Sequence, residues 1–197
     1  PHVTPGYYKE PELTAKAFDE DGFFAIGDAV KFLDPDEPAK GLIFDGRVAE
    51  NFKLLSGTWV AAGTLRLAAI SAAAPVIQDA VVTGHNRDEV GLLVFPSPAG
   101  CRMQCQDGPE DEPLERLIAR PEIGARLAEG LAEHNRANPG GSTRITRVMM
   151  MTEPAAIDAG EVTDKGYINQ RAVLARRAEL VERLYAEPVG DDIFMIG

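Results

Sequence analysis

Pro75-Val76-Ile77-Gln78-Asp79-Ala80-Val81-Val82-Thr83-Gly84-His85-Asn86-Arg87-Asp88-Glu89-Val90-Gly91-Leu92-Leu93-Val94-Phe95 is the stretch that decides the fold. Two apolar, β-branched runs, Val76–Val82 and Glu89–Phe95, flank a polar connection at Gly84-His85-Asn86-Arg87-Asp88, which reads as strand, turn, strand. Upstream, Thr64 to Ala74 is rich in Ala and Leu and reads as a helix that Pro75 ends. Downstream, residues 97–113 hold Pro, Gly, Asp and Glu and read as a surface loop containing both cysteines. Helices follow at about Leu114–Ala119 and Pro121–Asn135. In the second, Ile123, Leu127 and Leu131 recur every four residues as an apolar stripe. Gly140-Gly141 breaks the pattern, and Ile145–Met150 makes a third strand. Met149 to Met151 read as filler of a core strand. A last helix is expected from about Asn169 to Ala186, with Val173, Leu180, Val181 and Leu184 on one face, and a short mobile tail after Pro188. Strands interleaved with helices over 59–187 describe a small α/β (α+β) domain.

Residues 1–46 differ in character. Pro11–Phe18 suits two helical turns, closed by Asp19-Glu20-Asp21-Gly22. Phe23-Phe24-Ala25-Ile26 reads as a short strand ending at Gly27-Asp28. Ala29–Leu33 and Gly41–Phe44 pair as a hairpin around Asp34-Pro35-Asp36-Glu37-Pro38. This head has too little apolar length to close a core of its own and reads as the edge of something larger.

The 197 residues carry 20 Lys and Arg against 31 Asp and Glu, a net charge of −11. A field of that sign repels phosphate backbones and anionic lipid, which disfavours nucleic-acid and membrane-surface partners. No stretch approaches the ~20 apolar residues of a membrane span. Cys101 and Cys105 are the only cysteines, and His2, His85 and His134 the only imidazoles. That is a poor ligand set for zinc, so no metal site is expected, and two reduced thiols of a cytoplasmic protein are the reading adopted. The start at Pro1-His2-Val3 shows neither an initiator Met nor a signal-peptide pattern, and the chain is expected to be part of a longer polypeptide.

Four features could carry chemistry. Asp28, at a strand end, can accept two hydrogen bonds from a ribose diol or simply satisfy turn amides. Arg47 can meet an anion or form a surface ion pair. Lys53-Leu54-Leu55-Ser56-Gly57-Thr58 is a Gly-containing turn. Lys165, in Asp164-Lys165-Gly166, can neutralise charge on an acyl or phosphoryl oxygen, or remain a solvated loop lysine.

Their order is more specific than any one of them. Pro5-Gly6-Tyr7-Tyr8-Lys9-Glu10-Pro11-Glu12-Leu13-Thr14, then Phe18-Asp19-Glu20-Asp21-Gly22-Phe23-Phe24-Ala25-Ile26-Gly27-Asp28, resembles the end of the large N-terminal domain in the adenylate-forming superfamily. That superfamily includes acyl-CoA synthetases, luciferases and peptide-synthetase adenylation domains. Gly46-Arg47 and Ser56-Gly57-Thr58-Trp59-Val60 resemble its hinge and the opening of its mobile C-terminal subdomain. Thr163-Asp164-Lys165-Gly166-Tyr167-Ile168-Asn169-Gln170-Arg171 sits where the family carries its adenylation lysine. The resemblance spans about residues 5–186. Asp164–Arg171 and Phe44–Lys53 look most like the feruloyl-CoA synthase branch.

The resemblance implies a small subdomain with a short mixed sheet and flanking helices. Residues 1–48 would close the AMP-binding domain and its hinge, 49–187 would form the mobile subdomain, and 188–197 a tail. It further implies that Asp28 holds the ribose hydroxyls of ATP and that Arg47 contacts the ribose and phosphate side. Lys165 would bridge carboxylate and α-phosphate oxygens, with Mg²⁺ sharing the polyphosphate charge. Ala49, Ser56 and Gly57 would form the hinge and the loop beside the path of the CoA thiol. Ile26, Ala49 and Asp164 depart from the residues usual in the family, and one extra residue separates Arg47 from Ser56-Gly57. The implied activity is ATP-dependent acid–CoA ligation on ferulate or another 4-hydroxycinnamate, in the cytoplasm and together with the N-terminal domain. The chain lacks the phosphate loop and the acid pocket and is expected to be inactive alone. A ligase for another aryl or fatty acid, and a non-catalytic α/β docking module, are the alternatives.

Overall fold

The computed structural model describes residues 3–105, 107, 109 and 111–197. The chain divides into two compact units, Pro1–Ala49 and Glu50–Gly197.

In the first unit, α1 (Pro11–Lys16) starts with Pro at its first turn, where the missing N–H costs nothing. The Thr14 hydroxyl donates to the Glu10 carbonyl and accepts from the Tyr7 amide, 2.8 Å each. The strand expected at Phe23–Ile26 is reduced to one bridge between Phe18 and Phe24, whose rings lie 5.3 Å apart. β1 (Asp28–Phe32) and β2 (Leu42–Arg47) form the expected antiparallel hairpin, pairing Val30 with Phe44 and Phe32 with Leu42. Lys40 closes the connection through Asp34 and Glu37, 2.8 Å each. Val30, Phe32, Leu42 and Phe44 are all exposed, and Ala17 is the unit's only buried hydrophobic side chain among the described residues. The head closes no core of its own because a two-stranded ribbon has nothing to bury its apolar side chains against.

The second unit is organised by a four-stranded sheet in the order β5-β6-β7-β8. Ahead of it lie two short paired strands, β3 (Phe52–Lys53) and β4 (Trp59–Val60), and the helix α2 (Ala62–Ala72). β5 (Ile77–Thr83) runs antiparallel to β6 (Val90–Pro96), and β6 runs parallel to β7 (Ile145–Met150). β8 (Ile193–Met195) returns antiparallel to β7. Successive side chains alternate between two hydrophobic clusters. Ala80, Val82, Leu92, Val94, Val148 and Met150 join one, and Val81, Leu93, Phe95 and Met149 join the other. Burial on both faces explains why β6 and the Ala80–Val82 stretch of β5 read as unbroken apolar runs.

The first cluster packs under α2 and α5 (Pro121–Ala137), whose Ile123, Leu127 and Leu131 are fully buried as the stripe requires. The second packs under α6 (Gln170–Arg176) and α7 (Ala178–Leu184) through Val173 and Leu184. The small mixed sheet with flanking helices is therefore observed.

Three expectations are corrected. Residues 97–113 are not all loop, because α3 (Pro98–Gln104) starts at Ser97, whose hydroxyl accepts from the Gly100 amide at 3.0 Å. Cys101 and Cys105 are both buried and free, Cys101 on the inner face of α3 and Cys105 at the residue that ends it, and both join the core. Positions 106, 108 and 110 of that stretch lie outside the described residues, as does His2. α4 (Leu114–Ile118) follows, anchored by buried Leu117. The single C-terminal helix is two, broken at Arg177, whose backbone is non-helical (φ −105°, ψ 31°). Finally, residues 188–197 include β8, with Ile193 and Ile196 buried, because the open edge of β7 accepts a further strand.

Candidate functional site

Asp28 and Arg47 are brought together by the β1–β2 register, which makes them Cα partners at the open end of the hairpin. A register shift between Asp28 and Val30 marks a bulge there. Arg47 Nε lies 3.9 Å from Asp28 Oδ1, with the arginine side chain 65% and the aspartate side chain 36% exposed. So loose and wet a contact contributes little stability and leaves both groups free to engage a ligand. Ala49 lies in a single 3₁₀ turn, Val48–Glu50.

Ser56 and Gly57 form the tight turn between β3 and β4. Gly57 N donates to Leu54 O at 2.9 Å and Leu54 N to Thr58 O at 3.0 Å, with Gly57 at φ +82°. No heavy atom lies within 4 Å of where a Gly57 Cβ would stand, so the turn needs glycine for its backbone angle, and its outer surface is open. The Ser56 and Thr58 hydroxyls are 2.9 Å apart, and Lys53 Nζ stands 4.9 Å from the centre of the exposed Trp59 ring. Leu55 N→Arg87 O and Asn86 N→Lys53 O tie this turn to the β5–β6 connection. Beside it Phe52, Thr83, His85, Arg87, Leu174 and Glu182 line a cavity of 260 Å³.

Lys165 occupies the tip of a short hairpin. Val162 and Ile168 pair as an antiparallel bridge, Thr163 N donates to Tyr167 O at 2.8 Å, and Asn169 N donates to Glu161 O at 2.8 Å. The turn is closed by Gly166 N→Thr163 O at 2.9 Å, which makes Asp164 and Lys165 its two central residues. Gly166 takes φ +81°, the left-handed conformation that a residue with a Cβ rarely adopts. Lys165 is exposed. Val162, Gly166 and Ile168 form one wall of an apolar groove of 530 Å³ whose other walls include Phe95, Met151 and Ile157.

The base of this hairpin holds two residues that the sequence reading missed. Glu161 is fully buried, and its carboxylate meets the Arg177 guanidinium through two bonds of 2.8 Å. Ala156 N donates to the same carboxylate at 2.7 Å, and Arg176 Nη1 approaches it at 3.5 Å. Arg177 also donates to the carbonyls of Glu153 (2.9 Å) and Pro154 (2.8 Å) and lies over the Phe95 ring at 5.0 Å. The Arg177 hydrogen bonds hold the Glu161 carboxyl down at about 2, against the cost of burying it. Glu161 stands in an irregular loop 16 residues from its partner, so spacing alone offers no signal for the pair. At the exit of the hairpin, Asn169 caps α6, and buried Gln170 accepts from Val82 N at 3.1 Å. Among the described residues no group of His, Cys, Asp and Glu could hold a metal ion.

Residues 54–188 match the family described as AMP-binding enzyme C-terminal domain. A carboxylic acid reductase of Segniliparus rugosus is 30% identical over 187 residues, which is 94% of this chain and 14% of that protein. A Mycobacterium tuberculosis protein named for fatty-acid–CoA ligase activity, fadD11, is 29% identical over 98% of this chain and 33% of its own length. Among solved structures, the A domain of the Segniliparus rugosus carboxylic acid reductase, in complex with AMP and a co-purified carboxylic acid, superposes with a TM-score of 0.71 at 28% identity. That match covers 94% of this chain and 27% of that one. The chain thus spans a third or less of the length of these relatives. With a family match over most of its length and the fold to go with it, the chain belongs to the AMP-binding enzyme C-terminal domain family of adenylate-forming enzymes.

Proposed function

We propose that this chain is the C-terminal part of an ATP-dependent acid–CoA ligase, which joins a carboxylic acid to AMP with release of pyrophosphate and then passes the acyl group to the CoA thiol. The observation that carries this reading is the family match over 54–188, which contains an exposed lysine at the tip of a braced hairpin. In the proposal residues 1–48 close the large AMP-binding domain, and 49–187 form a subdomain that moves about a hinge near Ala49. Asp28 accepts the ribose hydroxyls, and Arg47 faces the ribose and phosphate side. Lys165 neutralises charge shared between the acid and the α-phosphate. The turn at Ser56 and Gly57 lies along the path of the CoA thiol, where a missing side chain lets a pantetheine arm approach the backbone. Mg²⁺, expected with ATP, would be carried by the nucleotide's own phosphates, and no step is assigned to it through this chain's side chains.

Ferulate or another 4-hydroxycinnamate is the favoured acid, supported by the feruloyl-CoA-synthase-like runs Phe44–Lys53 and Asp164–Arg171. A fatty acid is the second reading, favoured by the relative named for fatty-acid–CoA ligase activity. A relative named for long-chain-fatty-acid–acyl-carrier-protein ligase activity favours a third, in which a carrier-protein thiol replaces CoA as acceptor. A cytoplasmic location is part of the proposal.

The test is product formation by the ligase that contains this chain, supplied with ATP, Mg²⁺, CoA and a panel of hydroxycinnamic, benzoic and fatty acids. Turnover on ferulate or coumarate, lost in Lys165→Ala, is the expected result. AMP release on no acid would move the reading to a non-catalytic docking module, and turnover only on fatty acids would remove the hydroxycinnamate assignment.

A further inference from the structure

We infer that the buried Glu161–Arg177 pair is the positioning clamp of the Lys165 hairpin, holding the lysine where adenylation needs it. This rests on the reading of Lys165 as the adenylation lysine. One guanidinium gathers three points of the preceding loop: the carbonyls of Glu153 and Pro154 at its start and the carboxylate of Glu161 at its end. Glu161 is also the first rung of the hairpin, since its carbonyl accepts from Asn169 N at 2.8 Å. From that rung the ladder runs through the Val162–Ile168 bridge and Thr163 N→Tyr167 O to the turn that carries Lys165. The lysine is therefore four residues from a fully buried, doubly bonded anchor, although it is itself exposed.

The anchor in turn is fastened to the sheet. Arg177 lies over the Phe95 ring of β6 and sits at the non-helical junction of α6 and α7, where its backbone carbonyl accepts from Leu180 N at 3.0 Å. Burying two charges carries a desolvation cost that their pairing need not repay, so the pair is better explained by what it holds in place than by added stability. What it holds is the loop and hairpin that end in Lys165. A flexible lysine on a rigid base searches little volume, and displacing the base by about 1 Å is enough to cost on the order of 100-fold in rate.

The test uses the ligase that contains this chain and separates its two half-reactions. In Glu161→Gln, acid-dependent pyrophosphate release should fall by about tenfold or more, while thioester formation from supplied acyl-adenylate and CoA stays within about twofold. In a Lys165→Ala background the same change should add less than about twofold, since the clamp acts only through the lysine. Arg177→Lys keeps the charge but loses the planar fork, and should fall between wild type and Arg177→Ala. Hydrogen exchange of the Thr163, Gly166 and Asn169 amides should quicken more in Glu161→Gln than that of the β5 and β6 amides, which change only by the loss of global stability.

Loss of both half-reactions together, or full multiplicative loss on top of Lys165→Ala, would overturn the clamp and leave a merely structural pair. A normal first half-reaction in Glu161→Gln, with Lys165→Ala still defective, would overturn the clamp alone. A Lys165→Ala enzyme that adenylates at the normal rate would overturn the clamp together with the lysine's role.

Discussion

Gly130 of α5 lies so close to the carbonyl of Ala72, the last residue of α2, that a Cβ there would overlap the carbonyl group. One turn earlier, Arg126 donates to Ala72 O at 3.0 Å and to Ala74 O at 2.9 Å, satisfying carbonyls that the end of α2 leaves free. The close crossing and the cap belong to the same contact and hold the two helices that cover one face of the sheet.

Gly130→Ala is therefore expected to lose about 1–3 kcal/mol by overpacking. Gly141→Ala, where nothing stands within 4 Å of the added carbon, should stay within about 0.5 kcal/mol of wild type. Urea unfolding of the chain measures both. Equal stabilities would mean that α2 and α5 separate without cost.

Asn135 is buried and bonds both backbone groups of Ile145, donating to its carbonyl at 2.7 Å and accepting from its amide at 2.8 Å. It welds the end of α5 to the first residue of β7. Asn135→Leu leaves a buried N–H and C=O unpaired and should cost about 2–4 kcal/mol, at about 1–3 for each orphaned group with partial relaxation. A loss below about 0.5 kcal/mol in chemical unfolding would show that water reaches Ile145.

The carboxyl of Glu161, held at about 2 in the fold, lies below its ordinary value of 4.5. The native state thus binds fewer protons than the unfolded chain in this range. The stability Glu161 contributes is complete above about pH 4.5 and drains away as pH falls toward 2. Glu161→Gln leaves the Arg177 charge buried without its partner and should cost about 3–5 kcal/mol at pH 7. The gap between wild type and variant should narrow below pH 4.5 in unfolding curves taken at several pH values. A gap that does not change with pH would mean that the carboxylate is not paired.

Cys101 is fully buried, and burial pushes its thiol up to about 11. At pH 8 only about one thiol in a thousand would be ionised, so disulfide reagents should leave the folded chain unmodified and label both cysteines in urea. Rapid stoichiometric labelling without urea would show that α3 opens locally.

Much of the second unit is legible locally. The stripe of Ile123, Leu127 and Leu131 and the two-sided runs of β5 and β6 depend on neighbours a few residues away, and the structure buries them as read. Cys101 and Cys105 illustrate the opposite case. Gly, Pro and Asp around them read as loop, yet a Ser97 cap starts a helix there, and the core takes up its inner face. The candidate site is split in the same way. Asp28, Arg47, Ser56, Gly57 and Lys165 stand out as residue types at turns, whereas no local pattern singles out Glu161 or Arg177.

By itself, the sequence determined the regular core elements: β5, β6 and β7 as strands, and α5 as a helix with Ile123, Leu127 and Leu131 on its apolar face. It also determined the glycine turns at Gly57 and Gly166, because backbone angles there are a local matter. Only the tertiary structure decided that residues after Pro188 add a fourth strand, that the last helix breaks at Arg177, and that Glu161 is buried. The strand depends on β7 and the buried carboxylate on Arg177, partners distant in the chain. A free β-edge or a buried charge acquires its energy only when that partner arrives, and no local pattern encodes the arrival.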